Sequence, residues 1–191
     1  MRLFDIKLRL ALGIRIDFDS EIAQTKTPIV KDCYALLVKL VELWNAYEAF
    51  VQYAKTKRAA RGRDEKFALI EAIDPQAAAE PLCAGFAALV KLCENKRFAD
   101  DFDLFKNKVK EQSAIKDVYK KRLEEISACL KKKTNNGNDA LMRLIYIERN
   151  LFDHSGEAVK MGMEYRNRKK QLTLYYDTLR EYILTAINSV L

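Results

Sequence analysis

An apolar stripe with the period of an α-helix extends over about thirty residues after Pro28. It contains Leu37, Leu40, Trp44, Tyr47, Val51 and Ala54, which recur every three or four residues. Pro28 suits the first turn of a helix, where its missing N–H would have no intrahelical partner anyway. A long helix with one apolar face needs other elements to cover that face. The chain is therefore predicted to form an all-α bundle that includes this segment.

Further helical stripes follow, separated by turn residues. Lys131, Lys132 and Lys133 suit a helix C-terminus, and the polar run 134–138 predicts a turn. Asn138 or Asp139 can cap the next helix, and Gly156 is placed to stop it. The predicted helices cover 64–73, 81–93 (opened by Pro81), an apolar stripe over 102–130, 139–156 and 157–189, the last broken near Gly162.

Residues 4–18 follow a different pattern, in which apolar and polar residues alternate. The apolar positions are Phe4, Ile6, Leu8, Leu10, Leu12, Ile14, Ile16 and Phe18. A period of two predicts a strand. No other segment alternates comparably, so such a strand would fold back near Gly13 or pair with a second copy of the chain. The alternative is that tertiary packing makes part of this segment helical.

The length of 191 residues suits one domain, divided into an extended, β-like N-terminal element over 1–27 and a helical bundle over 28–191. Hydrophobic residues make up 49% of the chain, which excludes wholesale disorder. A net charge of +7 favours a polyanionic partner, although 27 acidic residues also fit a mixed, solvated surface.

Four cysteines occur without a Cys-x-x-Cys pair, and three of them fall at apolar positions of helical segments. They are predicted to be buried free thiols in a reducing cytosol, with no metal site and no cofactor. No run approaches 18 uncharged apolar residues, and the N-terminus lacks the apolar core of a signal peptide. We therefore expect a cytoplasmic protein that does not enter a membrane.

His154 is the single histidine of the chain and lies five positions after Arg149. Imidazole can take and give a proton near neutral pH, and guanidinium matches phosphate in shape and charge. In an unbroken helix the two positions would be about 140° apart, but a helix that ended near Asp153 would let His154 swing back beside Arg149. The alternative is a surface ion pair at Arg149 and a helix C-terminus capped by His154.

The run Ile145-Tyr146-Ile147-Glu148-Arg149-Asn150-Leu151-Phe152-Asp153-His154-Ser155-Gly156 resembles the signature of the HEPN superfamily. That signature is an arginine, a polar residue, and a histidine four to six residues beyond the arginine, at the end of a helix in an all-α bundle. The resemblance implies a metal-independent endoribonuclease that acts as a toxin, a CRISPR effector nuclease or an antiphage component. Other members have lost catalysis. Gly156 replaces the tyrosine that receives adenylyl groups in some HEPN toxins, so inactivation by modification there is not expected.

In the implied site, Arg149 binds the scissile phosphate, His154 transfers protons, and Asn150 orients the phosphate or the other two side chains. Lys160, Arg166 and Arg168 would guide RNA to it, although a solvated helix face would look the same in the sequence. One histidine cannot serve as base and acid at once, so a homodimer with one composite site is predicted.

Two other hypotheses remain open at this stage. In the first, the chain is a noncatalytic HEPN-like module that binds RNA, a nucleotide or a protein. In the second, it is a structural helical subunit. An antitoxin or a larger defence complex is an expected partner if the chain is a toxin or an effector.

Overall fold

The structure is a computed structural model, and it describes residues 3–18, 26–57, 75–113, 115–134, 140–155 and 160–190. Seven α-helices make up the regular secondary structure of these residues. In chain order the helices are α1 (Leu3–Gly13), α2 (Pro28–Lys57), α3 (Pro75–Cys93), α4 (Lys96–Glu111), α5 (Asp117–Lys132), α6 (Ala140–Ser155) and α7 (Tyr165–Val190). These ranges contain no strand, so the all-α prediction is confirmed for them.

The N-terminal segment is helical where the sequence pattern predicted a strand. Residues 3–13 form α1, and residues 14–18 have no regular secondary structure. Phe4, Leu8 and Ala11 lie on one helical face, and Phe4 and Ala11 are buried. Phe4 and Leu8 also belong to the alternating pattern, so these positions fit the period of a strand as well as that of a helix. The predicted strand over 4–18 is therefore wrong for the residues of α1.

Tertiary packing explains why the helical period prevails in α1. The Phe4 ring lies 5.4 Å from the Phe50 ring and 5.0 Å from the Tyr53 ring, centroid to centroid, and both partners belong to α2. A helix forms its backbone hydrogen bonds within itself, whereas a strand needs a neighbouring strand to form them. The cost is that Ile6 and Leu10, which the strand pattern placed with Phe4, are exposed.

Helix α2 is the centre of the bundle, as the apolar stripe predicted. It contacts α1, α6 and α7. Fully buried side chains line it at Leu37, Leu40, Leu43, Trp44, Tyr47 and Phe50. The indole Nε1 of Trp44 donates a hydrogen bond to Glu48 Oε1 at 3.0 Å, one turn further along, so the largest core side chain keeps its polar atom satisfied.

Helix boundaries differ from the predictions at several points. Helix α3 begins at Pro75, so Pro81 lies inside it and does not open it. The stripe over 102–130 is divided between α4 and α5, and Asn95 caps α4 by accepting a hydrogen bond from the Phe98 N–H at 3.2 Å. The predicted helix over 64–73 and the predicted caps at 138, 139 and 156 lie outside the described residues.

The predicted break near Gly162 is confirmed. Met161 and Gly162 have φ angles of 44° and 81°, in the left-handed region that glycine adopts without steric cost. Helix α7 begins three residues later, at Tyr165. The backbone therefore turns between Lys160 and Glu164, before the first residue of α7.

The cysteines are all free, and Cys33 is buried, while Cys83, Cys93 and Cys129 are partly buried. Burial raises the pKa of Cys33, and it raises the pKa of Cys93 to about 11, so both are neutral thiols at pH 7. No helix of the described ranges combines the length and the apolar character needed to cross a membrane.

Gly85 lies where α3 packs closely against α6 and α7. A Cβ atom there would lie 2.6 Å from Leu141 Cδ2 and 2.7 Å from Thr178 Cγ2, well inside van der Waals contact. Helix propensity alone would make Gly85→Ala stabilising by about 1 kcal/mol. We expect the opposite sign, a loss of about 1–3 kcal/mol in the free energy of unfolding, because the added methyl overpacks a filled core.

Urea denaturation of wild type and Gly85→Ala measures this difference. The matched control is Ala87→Gly, an exposed position of the same helix, where only the propensity loss should appear. A more stable Gly85→Ala variant would contradict the close approach of α3, α6 and α7.

Candidate functional site

Helix α6 carries the residues of the candidate site and is enclosed by the bundle. It contacts α2, α3, α5 and α7. Its apolar side chains at Leu144, Ile145, Ile147 and Leu151 are fully buried. The backbone that carries residues 149 and 150 is therefore fixed by packing on several sides, which is what a binding or catalytic group needs.

A buried ion pair joins α6 to α7. Arg168 donates from Nη1 to Glu148 Oε1 at 2.5 Å and from Nη2 to Glu148 Oε2 at 2.6 Å, and both side chains are 0% exposed. Arg168 Nη1 also donates to Gln171 Oε1 at 2.7 Å, and its Cζ lies 5.2 Å from the centre of the Phe105 ring. The contact between Arg168 and Glu148 is therefore bidentate, which is the strongest form of an arginine–carboxylate hydrogen bond.

The burial of Arg168 contradicts its predicted role in binding RNA. A guanidinium with no exposed surface, engaged by Glu148 and Gln171, cannot reach a phosphate without opening the core. Sequence reasoning also passed over Glu148. The available signal was its place on the apolar stripe of α6, three residues after Ile145 and three before Leu151, where a charged residue requires a buried partner.

The polar network continues along α7. Gln171 Nε2 donates to the hydroxyl oxygen of Tyr175 at 3.1 Å, and both residues are fully buried. Burial, together with the negative charge of Glu148, raises the pKa of Tyr175 far above its usual value, so the phenol stays protonated. The network is consequently structural, since it holds α7 against the turn of α6 that precedes Arg149.

Arg149 and Asn150 are hydrogen-bonded to each other. Nη1 of Arg149 donates to Oδ1 of Asn150 at 3.1 Å. Asn150 is 9% exposed, and Arg149 is half-buried. Adjacent helix positions differ by about 100° around the axis, so this bond turns the guanidinium from its own face toward the face of Asn150. Two of the three predicted site residues are thus brought together by a direct contact.

The position of His154 corrects one detail of the prediction. Helix α6 runs through Ser155, so it does not end near Asp153, and His154 is on the helix rather than on a loop. Positions 149 and 154 then differ by about 140° around the axis, whereas positions 150 and 154 are one turn apart and differ by only about 40°. The side chain of His154 lies outside the described part of the chain.

Aromatic contacts fix α6 on either side of these positions. The Tyr146 ring lies 5.4 Å from the Trp44 ring and 5.1 Å from the Tyr119 ring, centroid to centroid. Phe152 contacts Tyr34 at 5.7 Å between centroids. These three neighbours come from α2 and α5, so the helix is held in rotation as well as in position.

The remaining predicted RNA contacts, Lys160 and Arg166, are exposed. Lys160 Nζ lies 5.9 Å from the centre of the Tyr165 ring, in the turn before α7. Arg166 lines a groove whose residues come from α2, α3, α7 and the N-terminal end of α4, and none comes from α6. The structure does not bring Arg166 together with Arg149, and RNA binding by Lys160 and Arg166 stays a prediction.

No protein-family model matches the chain, and neither a curated protein nor a solved structure matches it. The HEPN resemblance consequently depends on the residues of α6 and on their structural setting alone.

Proposed function

We propose that this chain is a metal-independent endoribonuclease of the HEPN type, with Arg149, Asn150 and His154 of two copies in one composite site. The observation that supports this proposal is the hydrogen bond from Arg149 Nη1 to Asn150 Oδ1. Asn150 is also one turn before position 154, so the two positions lie on nearly the same face of α6.

The proposed reaction uses the nucleophile that RNA carries itself. The 2′-oxygen attacks phosphorus while the bond from phosphorus to the 5′-oxygen breaks, leaving a 2′,3′-cyclic phosphate and a 5′-hydroxyl. One His154 takes the proton of the 2′-hydroxyl, and His154 of the second copy gives a proton to the departing 5′-oxygen. Arg149 stabilises the negative charge that develops on the phosphate oxygens. Asn150 acts as a positioning residue through Arg149.

The second candidate is a noncatalytic module of the same fold, which holds RNA, a nucleotide or a protein at α6. The observation in its favour is that α6 continues through Ser155, which keeps positions 149 and 154 on different faces of one chain. For the catalytic proposal, the second copy must therefore complete the site. We place either function in the cytoplasm, where the four free thiols would persist, and propose a toxin or antiphage effector restrained by an antitoxin or a larger complex.

The test is cleavage of mixed cellular RNA, in excess chelator, by purified wild type and by His154→Ala. We expect His154→Ala to lose about 10²–10⁴-fold in rate, the usual contribution of a general acid or base. Lys121→Ala, at an exposed position of α5, is the matched control and should cleave like the wild type. The oligomeric state is recorded on the same samples, because the composite site requires a dimer.

Equal chelator-resistant activity in wild type and His154→Ala would point to a contaminating nuclease and contradict the assignment of His154. If neither protein cleaves RNA but both bind it with equal affinity, the noncatalytic module is favoured. Loss of activity on dilution below the dimer range would add independent support for the composite site.

A further inference from the structure

A groove of about 880 Å³ lies along one face of α7, and we call it the α7 groove. The N-terminal end of α2 and the C-terminal end of α3 line it, together with the first residues of α4. Its aliphatic floor includes Ile29, Leu92 and Leu174, which are partly exposed. The volume is within the range of sites that hold a ligand, and neither Arg149 nor Asn150 is among its described lining residues.

Cations surround this floor at one end. Lys91, Arg166 and Lys170 are exposed at the rim, and Lys169, also at the rim, donates to Asp32 Oδ2 at 2.7 Å. Asp177 is the single carboxylate among the described lining residues. It is eleven residues after Arg166, about 16 Å along the helix axis. The groove therefore carries positive charge near the start of α7, and this positive charge decreases toward Asp177.

The composition of the floor argues against RNA as the occupant. Single-stranded nucleic acid is usually held by aromatic side chains on which bases stack. Among the described lining residues, Phe98 is the one aromatic residue, and it is only 1% exposed, so none of these residues offers a ring face to a base. A free phosphate would use the cations but leave the aliphatic floor uncovered.

Helix α1 of a second copy of the chain is also a poor occupant. Within the described residues, α1 presents an exposed apolar face at Leu3, Ile6 and Leu10. However, Lys7 and Arg9 are exposed on the same helix and would be repelled by the cationic rim. The charge of α1 is thus wrong for this site.

We propose that the α7 groove binds an acidic, amphipathic α-helix of a partner protein. The span from Arg166 to Asp177 accommodates about three helical turns. Leucine-like side chains of the partner would cover Ile29, Leu92 and Leu174, and its carboxylates would face Arg166 and Lys170, as in other helix-in-groove complexes. This inference goes beyond the ribonuclease proposal and does not depend on it.

The test uses fluorescence anisotropy with a labelled helical peptide of about 14 residues, which has leucines on one stripe and glutamates beside it. Two matched peptides carry lysines in place of the glutamates, or glutamines in place of the leucines. We expect the leucine–glutamate peptide to bind at least about tenfold more tightly than either matched peptide. Only this peptide has both leucines to cover the aliphatic floor and carboxylates to face the cationic rim.

Protein variants then locate the binding. Arg166→Glu/Lys170→Glu and, separately, Ala88→Glu, an exposed lining position, should each weaken binding about tenfold or more. Lys121→Glu/Lys132→Glu alters the net charge of the protein by the same amount as the first pair, at exposed positions of α5, and should bind like the wild type. Circular dichroism confirms that each variant is folded.

Three results would overturn the inference. The first is equal affinity for the leucine and glutamine peptides, which would show that charge alone drives binding. The second is an equal loss in the α7 and α5 charge variants. The third is displacement of the peptide by a labelled U-rich RNA whose own binding is lost in Arg166→Glu/Lys170→Glu, because the groove would then be a nucleic-acid site.

Discussion

Replacing Arg168 by alanine is expected to lower the free energy of unfolding by about 3–5 kcal/mol, because a buried charge is left without its ionic partner. Glu148 and Arg168 are both 0% exposed, so water cannot replace the lost hydrogen bonds without entering the core. Arg166→Ala, two positions earlier and exposed, is the matched control and should remain within about 0.5 kcal/mol of wild type.

A double-mutant cycle separates the ion pair from simple loss of packing. We expect Glu148→Leu/Arg168→Met to be less destabilised than either Glu148→Leu or Arg168→Met alone, because the double variant removes the pair as a unit and apolar groups fill its volume. Urea denaturation, with the slope of each transition compared, gives the three differences. A loss below about 1 kcal/mol for Arg168→Ala would contradict the buried bidentate contact.

The ion pair between Glu148 and Arg168 also explains why RNA binding was wrongly predicted for Arg168 from the sequence. In the chain it is one of several cations after position 160, and the pattern of α7 does not distinguish it from Arg166 or Lys170. What distinguishes it is Glu148, twenty residues earlier and on another helix. A charge on an apolar stripe indicates that a partner exists, but only the tertiary packing of α6 on α7 identifies which cation it is.

The helices were predictable wherever one period dominated. The stripe of α2 has a helical period throughout, and the structure confirms it. The segment of α1 contains two periods, because Phe4 and Leu8 fit alternation as well as a helical face. Contacts of Phe4 with Phe50 and Tyr53 favour the helix, and those are distant in the chain. Local pattern alone could not contain that information.

The candidate site was predictable in its residue types and only partly in its geometry. Resemblance identified Arg149 and Asn150, but the hydrogen bond between them depends on side-chain conformations that the sequence does not specify. The arrangement in which α6 ended near Asp153 and His154 lay on a loop is not met, because the helix runs through Ser155 and the sequence locates a helix end only to within a turn. An end two residues earlier would have left position 154 in the loop after the helix.

Arg149→Ala is expected to lower kcat/KM for RNA cleavage by about 10²–10³-fold, the usual cost of removing one group that stabilises transition-state charge. Arg149→Lys should recover only part of this loss, because an ammonium cannot contact two phosphate oxygens in the planar geometry of a guanidinium. Affinity for an RNA with 2′-deoxy substitutions, which cannot be cleaved, should fall much less than kcat/KM.

The ratio of these two losses distinguishes catalysis from binding. If Arg149 only holds RNA, affinity and kcat/KM fall together, whereas a group that acts on the transition state lowers kcat/KM more. Residues that act as a unit are also non-additive, so Arg149→Ala/His154→Ala should be hardly slower than His154→Ala alone. Additive losses in the double variant would mean that the two residues act in separate steps, and the composite site would then have to be abandoned.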